Sequence, residues 1–75
     1  MITAAQCRAA RALLQWTQEQ LAKDAGVGLS TVISFELEQR KPIRTNVAAI
    51  AGALEAAGVE FIPENGGGAG VRLKK

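Results

Sequence analysis

A chain of 75 residues has room for one small core, and it stays marginal unless a metal, a disulfide or a partner chain supports it; its one cysteine, Cys7, leaves no internal disulfide to form. The formal charge is +2, but three of the nine basic groups, Arg72, Lys74 and Lys75, sit at the C-terminus, so residues 1–70 hold six basic and seven acidic groups. Any nucleic-acid footprint must therefore be local rather than spread over the surface.

In chain order, Thr3 and Gln6 have the spacing of a capping box, in which a hydroxyl and an amide satisfy the free backbone donors of a helix start. A first helix is expected over about Ala4 to Leu14. Thr17 and Gln20 repeat the spacing, and Trp16 and Leu21 stand at the two positions of a hydrophobic staple. The second helix is then Gln18 to Ala25, stopped by Gly26 in a left-handed turn. A third follows from Leu29 to Leu37, with Val32 and Phe35 as its inward anchors. Pro42 forbids simple continuation, and Thr45 or Asn46 is placed to cap a fourth helix through about Ala56, striped by Val47, Ile50, Ala51 and Leu54.

Beyond Gly58 the period changes: "VEFI" and "VRL" are short β-prone runs on either side of "PENGGGAG", the pattern of a hairpin with a long loop. A lone hairpin is marginal in water, so it must pack on the helices or pair with a second copy. The glycine-rich loop lacks the Lys-Ser/Thr of a phosphate loop and leads into no helix. The expected fold is mainly α: four to five helices with a short C-terminal β-hairpin. Residues 1–58 form the helical unit, and residues 59–75 form a hairpin and basic tail that either belong to the same domain or dimerise it.

Two short helices joined by a glycine-containing turn, the second followed by basic residues, describe a helix-turn-helix. The stretch "WTQEQLAKDAGVGLSTVISFELEQRKP" resembles the lambda-repressor-like, XRE-type DNA-binding family through "TQEQLA", "AGV", "STV", the Phe-Glu pair and "RKP", within a similarity covering about residues 6–57. The resemblance implies that the third helix enters the major groove of double-stranded DNA. It places Ser30, Thr31 and Ser34 toward base edges, where hydroxyls donate or accept. Gln18 is implied to donate to a phosphate at the start of the second helix, and Glu36 with Arg11 to form an internal ion pair tying the third helix to the first. Arg40, Lys41 and Arg44 cluster beside Pro42, as phosphate contacts would.

Three positions depart from the family pattern. Gly28 stands where a small polar cap is usual, Leu37-Glu38 stands where Asn-Gly commonly ends the recognition helix, and Glu38 puts a negative charge near the expected phosphate path. With no glycine there, the third helix is expected to run on toward Gln39.

Leu29, Ile33 and Leu37 recur every four residues and cannot all be buried together with Val32 and Phe35. Three uses are open: contact with thymine methyls, a helix-in-groove surface for a protein partner, or a helix that is rotated or packed by the C-terminal hairpin. The function expected is a DNA-binding regulator, most simply a repressor acting as a homodimer. The alternative is a protein-binding helix-turn-helix, antiactivator or antitoxin-like, that uses the same stripe.

Without histidine, neither a zinc site nor a Cys-His nucleophile can be assembled, and the glutamates show no paired-carboxylate spacing. No enzyme, metal or cofactor is expected. Cys7 has no base beside it in sequence and reads as a small buried hydrophobe, and Trp16 as a core or staple residue. No apolar run approaches the roughly 20 residues of a membrane span, the N-terminus has no leader-like pattern, and the lone thiol suits a reducing cytoplasm.

Overall fold

The cap at Thr3 is complete in the computed structural model, which describes residues 1–74: Thr3 Oγ1 accepts from the Gln6 N–H at 3.0 Å, and Gln6 Oε1 accepts from the Thr3 N–H at 2.9 Å. Lys75 of the basic tail lies outside the described residues. Helix α1 runs Ala4–Leu14, α2 Gln18–Ala25, α3 Leu29–Leu37 and α4 Arg44–Ala56; strands β1 (Val59–Ile62) and β2 (Gly70–Leu73) form an antiparallel hairpin. The fold is thus mainly α with four helices. None of the helices among the described residues is long and apolar enough to cross a membrane.

Local chemistry explains most boundaries. Gln15 closes α1 in the left-handed conformation, and the Trp16 N–H returns to the Arg11 carbonyl at 2.9 Å. Thr17 caps α2 by accepting from the Gln20 N–H at 3.0 Å, but here the second half of the box is missing. The Gln20 amide donates instead to Asp24 at 2.7 Å, one turn along the exposed face. Gly26 takes φ +71° and lets the Val27 N–H bond back to Ala22, which swings the chain into α3.

Two expected ends shift. Helix α3 does not run on to Gln39: Glu38 adopts the left-handed conformation at φ 57°, and its N–H and that of Gln39 return to the last carbonyls of the helix. A carboxylate side chain there costs about 1 kcal/mol or more relative to glycine. Nor does Thr45 or Asn46 cap α4. The helix starts at Arg44 with Ile43 as N-cap and no side-chain hydrogen bond, because burial of Val47, Ile50 and Leu54 sets its phase and Val47 must bond back to the Ile43 carbonyl. Ala51, expected in the stripe, is only half-buried.

The core gathers Cys7, Ala10, Leu21, Ala22, Val32, Ile50, Leu54 and Val59, with Leu14, Trp16, Phe35, Phe61 and Val71 packed around it. On α3 Val32 and Phe35 both meet the core, Phe35 from its margin and partly buried, and Glu36, one turn after Val32, is buried as well.

The hairpin lies on α1 and α4 of its own chain. Val59 pairs with Leu73 and Phe61 with Val71 on the face turned to the helices, and Glu60 pairs with Arg72 on the other. The Arg72 guanidinium holds the Glu60 carboxyl below its usual range, but this exposed pair contributes little to stability. The stronger tie is Gln6. Besides its capping role, its Nε2 donates to the carbonyls of Ile62 at 3.2 Å and Gly70 at 2.9 Å, so one buried amide joins the start of α1 to both strands. Replacing Gln6 by Ala removes these bonds and leaves the strand carbonyls facing a gap, at a cost of about 2–3 kcal/mol. Urea melts should report that loss, and hydrogen exchange should show faster opening of the Glu60 and Arg72 amides, which bond across the ladder; a variant as stable as wild type would show that packing alone docks the hairpin.

Candidate nucleic-acid interface

Helices α2 and α3 pack against each other through Leu21, Ala22 and Val32, joined by the Gly26–Gly28 turn. Counting about 100° per residue from the buried Val32–Glu36 seam, Ser34 stands close to opposite and Ser30 nearly so. The hydroxyl face of α3 is therefore the outward one.

This face is one wall of a concavity whose lining includes Ser30, Thr31, Ser34, Arg40, Lys41 and Ile43. Pro42 turns the chain from α3 into α4 and brings both cations beside the three hydroxyls, with Phe35, Asn46, Val47 and Ile50 as the floor. Arg40, Lys41 and Arg44 are exposed, and no carboxylate pairs with them among the described residues. Positive charge without an internal partner beside neutral donor-acceptor groups is what a polyanion with readable edges requires. Glu38 is the exception, an exposed carboxylate at the end of α3 two residues before Arg40.

The other sequence-singled residues fall elsewhere. Gln18 turns inward: its Nε2 donates to Glu36 Oε1 at 3.0 Å, which commits one of the two N–H groups of the amide expected to meet a phosphate. The acceptor is a buried carboxylate within reach, and a charged acceptor draws a neutral amide more strongly than water does. Leu29, Ile33 and Leu37 wind outward along the flank of α3 away from the concavity: Leu29 is 37 % exposed, Ile33 half-buried and Leu37 61 % exposed. The hairpin, lying on α1 and α4, leaves this stripe open, which removes the third of its expected uses.

Beneath the face, Glu36 orders the structure. Its carboxylate is 2 % exposed and accepts four bonds: from Arg11 Nε at 2.7 Å, Arg11 Nη2 at 2.8 Å, Gln18 Nε2 at 3.0 Å and Cys7 Sγ at 3.1 Å. Arg11 also donates to the Trp16 carbonyl at 3.0 Å, and Arg8 to the carbonyl of Glu36 itself. The network fastens α3 to α1 and to the start of α2. Burial pushes the Glu36 carboxyl up, but the bonds from Arg11, Cys7 and Gln18 together outweigh it and hold the group below the usual carboxylate range. Cys7, expected to lack a base, has this carboxylate beside it. Burial, and then the Glu36 hydrogen bond and charge, push its thiol far up, so it stays protonated and serves as a donor rather than a nucleophile.

Sequence reasoning missed Ile43 and Asn46 in the concavity and the bond from Cys7 to Glu36. The one available signal was Ile43 itself, a bulky apolar residue directly after Pro42 at a helix start.

A family model described as helix-turn-helix matches residues 8–61 of the chain. No curated protein matches it.

Proposed function

The chain belongs to the XRE-type helix-turn-helix family of DNA-binding regulators, and from that premise we propose that it is a sequence-specific repressor, acting in the cytoplasm, that reads the major groove with α3. The observation that carries this reading is the concavity in which Ser30, Thr31 and Ser34 face Arg40 and Lys41. A duplex lying along it meets the hydroxyls with its base edges and the cations with its phosphates; Arg44 extends the cationic rim, and Leu29 and Ile33 border the groove from the other flank, within reach of thymine methyls. Gln18 serves through its place at the α2 N-terminus, where it is held by Glu36. Repression follows if the bound protein occludes polymerase.

Residues 1–58 act in this reading as the DNA-binding unit. Among the described residues neither β1 nor β2 pairs with a third strand, and pairing across an outer edge of the hairpin joins two copies so that two α3 helices meet successive major grooves. A protein that stays monomeric at high micromolar concentration, with and without DNA, would remove the dimer from the proposal.

The test is selection of duplexes from a random-sequence library, followed by affinity measurements at two salt concentrations on wild type, Ser34→Ala and Ile33→Glu. We expect salt-dependent, sequence-selective binding, with Ser34→Ala lowering the specific-to-nonspecific ratio by about tenfold and Ile33→Glu by more. The exposure of Leu29 and Leu37 supports a second reading, a protein-binding module. It predicts no selected duplex, and a partner contact that persists or strengthens with salt and is lost in Ile33→Glu but not in Ser34→Ala.

A further inference from the structure

Ile43 is the N-cap of α4, and nothing in the fold asks for isoleucine there. The residue sits in extended backbone with no side-chain bond to the helix start, a position where Ser, Thr, Asp or Asn would supply one. Its side chain is 63 % exposed, so burial does not select it either. A residue that breaks a local rule without a structural return marks a functional position.

Its surroundings say what it meets. Ile43 lines the concavity with Ser30, Ser34, Arg40 and Lys41, between the cations of the loop and Arg44 at the first position of α4. Leu29 and Ile33 do not line it. Three unpaired cations commit this apolar side chain to a polyanionic partner, and the one apolar group that a duplex shows on a major-groove base edge is the 5-methyl of thymine. The neighbouring hydroxyls bond with equal ease to several base edges, so they leave the base pair at this point undecided.

We propose that Ile43 is a specificity-determining residue that selects an A·T pair in the DNA site by packing on the thymine methyl. The inference rests on the DNA-reading function proposed above and adds to it a residue and the base that it reads.

The experiment uses the tightest duplex selected by the wild-type chain, with each thymine in turn replaced by deoxyuridine, which removes only the methyl. Affinities are measured for wild type, Ile43→Val and Ile43→Ser; the serine restores a cap, so its Tm should equal or exceed that of wild type. One thymine is expected at which loss of the methyl weakens wild type about fourfold, Ile43→Val less, and Ile43→Ser not at all. Identical sets of methyl-sensitive positions in wild type and Ile43→Ser would overturn the inference while leaving DNA reading intact. Failure of wild type to select any duplex would overturn DNA reading itself and the inference with it.

Discussion

Glu36→Ala should remove a large part of the stability of the folded state at room temperature. Four donors converge on the buried carboxylate, and its removal strands the Arg11 guanidinium, whose side chain is only 20 % exposed, together with the Gln18 amide and the Cys7 thiol. Breaking a buried pair from one side costs about 3–5 kcal/mol. A domain of this size has roughly 4–11 kcal/mol in all, and the uncapped start of α4 and the left-handed Glu38 place this one toward the lower end. Urea melts followed by far-UV circular dichroism measure the loss. The paired replacement Arg11→Met with Glu36→Leu should be less destabilised than either single change, since it leaves no charge buried alone. If Glu36→Ala melts within about 1 kcal/mol of wild type, Arg11 has swung out to solvent and the network holds nothing together.

The same carboxylate makes stability depend on acidity in a definite direction. Its folded pKa lies below its unfolded value of about 4.3, so its contribution is complete above that value and is lost as the pH falls through the folded pKa. Wild type should therefore weaken from about pH 5 downward. Glu36→Gln, less stable at neutral pH, should show a flatter acid limb.

Removing Arg40 and Lys41 together should leave the fold unchanged within about 0.5 kcal/mol, since both are exposed with no ion-pair partner among the described residues. DNA binding should respond very differently. Each charge-assisted bond to a phosphate contributes about 1.5 kcal/mol or more, so the double alanine variant should bind on the order of a hundredfold more weakly, and equally so for all sequences. The slope of log affinity against log salt should fall in magnitude by about 1.8, from the release of two fewer counterions. Ser34→Ala should instead change selectivity and leave the slope alone. An unchanged slope in the double variant would place the phosphates elsewhere and detach the loop after α3 from the interface.

The contrast between these two predictions follows the division between what could and could not be read from the chain. The helix-turn-helix was legible because its signals are short-range: Thr3 with Gln6, Thr17 before Gln20, Gly26 after Ala25 and Pro42 after Lys41 each act within one turn. The hairpin was legible for the same reason, from the switch of period after Gly58 and the glycine-rich loop. Where local rules competed, the reading slipped. Gln20 prefers Asp24 to its capping partner, Glu38 closes α3 where no glycine is available, and α4 starts on an isoleucine.

The candidate interface was legible in its members and not in its arrangement. Ser30, Thr31, Ser34, Arg40 and Lys41 could be named from the chain, but that they line one concavity depends on how Pro42 aims the loop, and that Ile43 and Asn46 join them depends on the phase of α4. Gln18 is the sharpest case. In sequence it is an exposed helix-start amide, and only the arrival of Glu36 from 18 residues away turns it inward.

By itself, then, the sequence determined the order of the helices and the limits of α1 and α2, the turn between α2 and α3 and the position of the hairpin, because each follows from steric and hydrogen-bonding preferences of residues adjacent along the chain. Tertiary structure alone decided that Gln6 clasps strands 56 and 64 residues away and that Arg11, Gln18 and Cys7 meet on Glu36, and it set the cations beside the serine face. A polar side chain carries no mark of whether it will be buried. Its partner is chosen only when hydrophobic burial brings the elements together and leaves each desolvated group to find the nearest opposite charge or acceptor.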